Sequence, residues 1–208
     1  MSYIGTQPNN VKENIGLYNP SEILQLTKDG SWGGSLEHIE TQTYSSSVSS
    51  VIFENLKEDL FDVHFMTLAN VQGDTDSAGT RFVLYEDGIG YETSAVYSWS
   101  REIQTTGASG TEQKNNAIEY MSIFGTNDNN TNYKGHASVY WYNLGNASKY
   151  TFNTVEMGGK SYYETGFNFG GATLTQTSKI TKIKFEISSG NFSSFDISLY
   201  GIKQLWVI

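Results

Sequence analysis

The chain has no cysteine, only two prolines, and 13 basic residues against 22 acidic ones. Without cysteine there is no disulfide framework, no thiolate-ligated zinc, no iron–sulfur cluster and no thiol nucleophile. The 208 residues must be held by packing, and that length suits one domain, with or without an arm, better than two. The shortage of basic residues leaves a formal charge of −9 with no cationic run. Nucleic-acid affinity comes largely from cations releasing phosphate counterions, so neither nucleic acid nor an anionic membrane is an expected partner. No stretch approaches the ~18 continuous apolar residues of a membrane-spanning helix. The first 20 residues lack a basic segment followed by an apolar one, so a product made without an export signal is expected.

Amphipathic helices are missing as well. After residue 30 no segment shows three turns of helical periodicity, so the crossover helices of nucleotide-binding α/β folds have nowhere to form. What is abundant favours strands and turns: 24 Ser, 20 Thr and 17 Asn beside an aromatic content of 14%. From Leu36 onward, strand-like segments separated by Gly-, Asn- and Asp-rich turns recur every ~10–15 residues. They are Ser49 to Leu56, Phe61 to Val71, Thr80 to Tyr85, Ala95 to Trp99, Ala117 to Phe124, His136 to Tyr142, Lys149 to Met157, Ser161 to Phe169, Ile180 to Ser188 and Phe192 to Ile202. In the second of these, Phe61, Val63, Phe65 and Leu68 are expected inward. About ten antiparallel strands over ~165 residues predict an all-β, jelly-roll-like sandwich.

The leading residues read differently. Met1 to Pro20 show no period and predict an extended arm. Ser21 to Asp29 fit either a short helix capped by Ser21 or a strand burying Ile23 and Leu26. Gly30, Gly33 and Gly34 around Trp32 mark the boundary. The organisation expected is an attachment arm over 1–35, a sandwich over 36–203 and an apolar tail over 204–208.

Candidates for chemistry are few. The three histidines, His38, His64 and His136, accompany no G-x-S-x-G elbow, and His64, between Val63 and Phe65, reads as an outward-facing strand residue. Asp74 and Asp76 in a DTD turn, and Asn127 to Asn130, are oxygen-rich, yet neither matches a calcium loop, and such segments usually cap their own backbone. The GIG at Gly88 to Gly90 lacks the remainder of a phosphate cradle and reads as a hairpin turn. Glu92, Glu102, Glu119 and Glu164 offer carboxylates, but nothing in the sequence pairs them as a glycosidase requires. No catalytic residue, metal or cofactor is assigned.

Aromatic residues are in excess. Tyr140 and Tyr142 share one face of a strand and Trp141 the other; Tyr162 and Tyr163 repeat the pattern. Outward rings in these clusters suit stacking on a ligand or packing on another protein. The chain closes on Leu205, Trp206, Val207 and Ile208, four large apolar residues whose exposure forgoes burial worth ~25 cal/mol per Å². Both ends point to assembly.

The segment IKFEISSGNFSSFDISLYGIK, Ile183 to Lys203, resembles the closing strands of small structural proteins of tailed phages from marine and freshwater bacteria. SSVIFENL, the acidic turn before RFVLY, YSWS and GHASVYWY fit the same pattern in order. The opening SYIGTQP resembles the YIGxxP start of fibre and tail-associated proteins from such phages. The chain departs from the family by running five residues past LYGIK. The resemblance implies a jelly-roll module on the outer surface of a virion, without catalysis. Its partners would be tail or capsid proteins bound through Tyr3, Ile4, Gly5 and Pro8, and like subunits of a homotrimer bound through Leu205 to Ile208. A host surface glycan is a further expected partner. Host attachment is the first expected role, capsid decoration the second, and a free carbohydrate-binding module using Tyr140, Trp141, Tyr142, Tyr162 and Tyr163 the third.

Overall fold

Side-chain alternation builds the sheets. In Ile180–Ile187, the apolar Ile183, Phe185 and Ile187 point inward while Lys182, Lys184 and Glu186 stand between them on the other face. A computed structural model of the chain describes residues 19–28, 35–76, 78–107, 110–127, 129, 132, 134–160 and 165–203. Tyr3, Ile4, Gly5, Pro8, Tyr162, Tyr163, Leu205, Trp206, Val207 and Ile208 lie outside the described residues.

The elements are α1 (Pro20–Lys28), β1 (Leu36–Tyr44), β2 (Ser50–Phe53), β3 (Val63–Gly73), β4 (Ala78–Glu86), β5 (Gly90–Tyr91), β6 (Tyr97–Thr105) and β7 (Thr111–Ile118). They continue with β8 (Met121–Asn127), β9 (Gly135–Tyr142), β10 (Tyr150–Lys160), β11 (Thr165–Thr177), β12 (Ile180–Ile187) and β13 (Phe192–Ile202). The chain divides between Ser35 and Leu36 into two units.

In the first unit the open choice over Ser21 to Asp29 resolves as helix, and its cap is Asn19, not Ser21. The Asn19 carboxamide accepts from the N–H groups of Ser21 and Glu22 at 3.0 and 2.9 Å, and Glu22 accepts from Asn19 N at 2.8 Å. This reciprocal box, with Pro20 at the first helical position, satisfies amides that a helix start leaves orphaned.

The second unit is an all-β sandwich of two antiparallel sheets. The larger runs β1-β13-β3-β9-β10-β11-β6-β7; the smaller runs β2-β12-β4-β5, with β8 also on β4. The jelly-roll character lies in three chain segments that pass from one sheet to the other side by side. β13 pairs with β1 and β3 in the large sheet, while β12 pairs with β2 and β4 in the small one. β9, β10 and β11 add a plain meander, which β6 and β7 extend. Among the described residues thirteen strands stand where ten were expected. The segment read as Ala117 to Phe124 belongs to two strands, β7 and β8, and β1 and β5 were not anticipated. The GIG hairpin is present, with Gly88 and Gly90 at φ 69° and 132°, where a side chain is strained.

An aromatic spine ties the sheets together. Phe192 stacks on Phe185 at 4.9 Å, Phe185 meets Phe82 at 5.4 Å, and Phe82 meets the edge of Trp141 at 4.8 Å. All four side chains are fully buried.

β3 reverses two sequence expectations. His64, Met66 and Leu68 face the core, and Val63 and Phe65 face out. His64 is wholly buried rather than outward-facing; its Nε2 donates to the Leu56 carbonyl at 2.8 Å, and Nδ1 has no hydrogen-bond partner. Burial holds its pKa below the ordinary 6.5. The folded state therefore takes up a proton less readily than the unfolded chain. The stability this neutral imidazole secures is complete above about pH 6.5 and is lost as pH falls through the lowered value. Glu86, whose pKa is raised by burial, works in the opposite direction, so a variant is needed to isolate the histidine. Thermal melts between about pH 7 and about pH 5 should show the wild type losing more melting temperature than His64→Gln; equal losses would contradict the assignment.

Candidate functional site

The outer face of the large sheet carries side chains that a solvent-facing sheet normally lacks. Successive residues alternate faces, so one cross-strand row reads His38, Tyr200, Phe65, Tyr140, Thr154, Gly171, Ser100, Lys114. The next reads Leu36, Ile202, Val63, Tyr142, Phe152, Thr173, Ser98, Asn116. The rings of the first row touch. His38 meets Tyr200 edge-on at 5.5 Å, Tyr200 lies 6.2 Å from Phe65, and Phe65 lies 4.8 Å from Tyr140. Such pairs add about 0.5–1.5 kcal/mol each beyond burial and fix ring orientation.

On β10 and β11 the usual polarity is inverted. Thr151, Asn153 and Asn168 are buried, while Phe152, Phe167 and Phe169 are 43%, 58% and 48% exposed. The buried amide of Asn153 is used: it accepts from Ala172 N at 3.0 Å and donates to Met121 Sδ at 3.2 Å. A sheet that places asparagine inside and phenylalanine outside forgoes burial on its outer face. Contiguous exposed apolar surface of that kind marks an interaction site.

Phe152 walls one side of a depression of about 520 Å³ on this face. Its other lining includes Ser98, Ser100, Gly171 and Thr173, with Lys114 and Asn116 of β7 on the far side. Ser98 Oγ donates to Asn116 Oδ1 at 2.5 Å. Gly171 of β11 helps to keep the depression open. A Cβ there would stand 2.6 Å from the carbonyl oxygen of Asn153, so no side chain can fill the space at this position.

Beneath this face, Arg101 fastens the sheets. Its Nε and Nη2 donate to Gln113 Oε1 at 3.1 and 2.6 Å, and Nη1 donates to Ser122 Oγ and the Ile123 carbonyl at 3.1 and 3.2 Å. The guanidinium lies over the Trp99 ring at 5.0 Å. Arg101→Met keeps the stem and removes the donors, leaving part-buried acceptors unmet. We expect a loss of about 2–3 kcal/mol in denaturant unfolding, and a loss below about 0.5 kcal/mol would show the fastening to be dispensable.

The sequence-derived candidates fall as follows. Tyr140 is 40% exposed and Tyr142 half-buried on the outer face. Trp141 is fully buried against Phe82, so it cannot stack on an external ligand; it belongs to the core. His38 sits in the ring row, and His136 is exposed, its Nδ1 accepting from Asn70 N at 3.5 Å. Asp74 accepts from Asn191 N at 2.8 Å and Thr75 Oγ1 at 2.9 Å, bonds that hold its pKa below the usual carboxylate value. Asp76 accepts from Asn129 N at 3.0 Å, which joins the two oxygen-rich turns. Both carboxylates thus cap backbone, and among the described residues no cluster of three metal-ligating side chains occurs.

Glu92 pairs with a residue that sequence reasoning missed, Glu86. Gln176 Nε2 donates to both, reaching Glu92 Oε2 at 2.6 Å, and Ser178 Oγ donates to Glu86. Burial and the neighbouring Glu92 carboxyl push the Glu86 pKa up; burial opposes charge on Glu92 too, but hydrogen bonds from Ser94 and Gln176 carry its pKa down. Glu86 is 1% exposed and Glu92 half-buried, and the pair ties the end of β11 to the β4–β5 hairpin. Glu102 lies on the outer face opposite Glu112, Glu119 is exposed elsewhere, and Glu164 is outside the described residues.

No family model and no curated protein matches the chain. Among solved structures it is similar to one from Bacteroides vulgatus ATCC 8482 described as a "putative pore-forming toxin", at 8% identity and a TM-score of 0.09. The match covers 76% of this chain and 54% of that one, so the chain spans about half its length. A likeness at that score bears on neither fold nor function.

Proposed function

We propose that this chain is a non-enzymatic structural protein of a tailed-phage virion, carried on the outside of the particle as a fibre- or tail-associated host-attachment part. The observation that carries the recognition half of this reading is the inverted polarity of β10 and β11, which leaves Phe152, Phe167 and Phe169 exposed. An aromatic sheet face on a rigid sandwich is suited to holding another molecule. The virion half is supported by the resemblance of Ile183 to Lys203 and of the SYIGTQP opening to phage structural proteins.

In this reading residues 1–35 are the anchor and the sandwich is displayed in three copies. Deleting residues 1–20 should leave the melting temperature of the sandwich unchanged and abolish co-sedimentation with particles. A truncated chain that still sediments with them refutes the anchor. Cryo-microscopy of the parent particle then separates a tail position from a capsid-decorating one. The depression beside Phe152 favours a second reading, a carbohydrate-binding module that acts free in solution. That reading predicts a fully functional monomer lacking the arm.

A further inference from the structure

We infer that the depression beside Phe152 is a binding site for a neutral glycan, engaging at least two pyranose units. The inference rests on the recognition reading above and names its ligand class.

The site's dimensions come first. From Phe152 on β10 across β11 and β6 to Asn116 on β7 there are three inter-strand steps, about 14 Å at ~4.8 Å each. That exceeds one sugar ring and accommodates two in line. The floor stays open because Gly171 cannot carry a side chain, its would-be Cβ lying 2.6 Å from the Asn153 carbonyl oxygen. Ser98, Ser100 and Thr173 add only short side chains.

The lining chemistry then selects the ligand. One exposed ring stands beside hydroxyls and carboxamides, and this combination fits a molecule with an apolar C–H face and a rim of hydroxyl groups. A pyranose has both. A protein partner seeking continuous apolar contact finds the Tyr140 and Phe65 side of the face better suited, and a nucleic acid lacks the cations it needs.

Charge decides between neutral and acidic sugars. The row next to the depression carries Glu156, Phe169, Glu102 and Glu112, so three carboxylates flank it. Lys114 is the cation among the lining residues, and Glu112 pairs with it at 3.4 Å. Sulfated or sialylated chains are repelled, whereas a neutral chain meets no such field.

The test uses the full-length chain in titration calorimetry with neutral cello-, xylo- and malto-series sugars of about one to six units, and heparin fragments as the anionic control. We expect one neutral series to bind, its disaccharide more tightly than its monosaccharide, and heparin not to bind. Phe152→Ala should weaken binding at least about tenfold with an unchanged melting temperature, and Phe152→Tyr should retain it. A preference for heparin, no neutral binding at about millimolar ligand, or unchanged affinity in Phe152→Ala each overturn the inference. If no sugar binds yet the chain sediments with particles, the glycan site fails and the virion reading stands. If sugar binds and particles do not, the virion reading fails and the site stands.

Discussion

Replacing Phe185 by Ala is expected to destabilise the sandwich by about 4 kcal/mol, measured by urea unfolding. Phe185 is fully buried in β12, stacked on Phe192 with the ring planes 17° apart and tilted against Phe82. These rings come from both sheets, so the cavity opens at the centre of the spine, where neither sheet can collapse without moving its ladder. The loss has two parts: the apolar surface no longer withdrawn from water, and the dispersion contacts that Phe82 and Phe192 forfeit across the void. Native domains are stable by about 5–15 kcal/mol, so the variant sits close to the limit of folding. Its melting temperature should fall by about 10 °C. Phe185→Leu, which keeps most of the volume, should lose under about 1.5 kcal/mol. A loss below about 1 kcal/mol for the Ala variant would mean that the spine is not the core's centre.

Gly170→Ala should cost about 3 kcal/mol, although it adds one methyl group. The added Cβ would lie 2.2 Å from the Ser100 carbonyl oxygen and 2.7 Å from Arg101 Cα, both backbone atoms of the paired strand. Relief requires parting β11 from β6, which breaks ladder bonds and shifts Arg101, the residue that fastens the sheets. Gly166→Ala in the same strand is the control. Its Cβ would have its nearest neighbours at 3.6 and 3.7 Å, ordinary contact distances. There the substitution should be neutral or stabilising by up to about 1 kcal/mol, because alanine narrows the unfolded ensemble. Equal effects at the two positions would show that close strand approach is not what selects glycine at 170.

The all-β class and most strands were legible because alternation on β12 and β13 is clean: inward Ile183, Phe185, Ile197 and Leu199 are separated by Lys, Glu, Ser and Tyr. β3 was misread because both of its faces are apolar. Phe65 and Val63 lie on the aromatic outer face while Met66, Leu68 and His64 fill the core, so hydrophobicity alone does not choose a face. The irregularity between Leu68 and Val71, at an Asn70 with φ 55°, then brings Val71 inward as well. The candidate site was legible only in part. Tyr140 and Tyr142 were read from their spacing, but Phe152 was not, because an isolated phenylalanine between Thr151 and Asn153 reads as the buried member of its trio. The depression joins residues near positions 98, 115, 152 and 171, and only the sheet order β10-β11-β6-β7 brings them together.

The pairing of β1 with β13 has a mechanical consequence. Leu36 opens the first strand, Ile202 closes the last, and the two are direct partners at one end of an antiparallel ladder. Tension applied between the segments flanking this ladder peels it like a zipper, one rung at a time. Tension between the leading flank and a molecule gripped beside Phe152 also runs across the strands, because Leu36 and Phe152 stand in one cross-strand row, so it too loads the terminal rung first. The sandwich is thus weak both as a link in series through its two flanks and as a hook hung from the first of them.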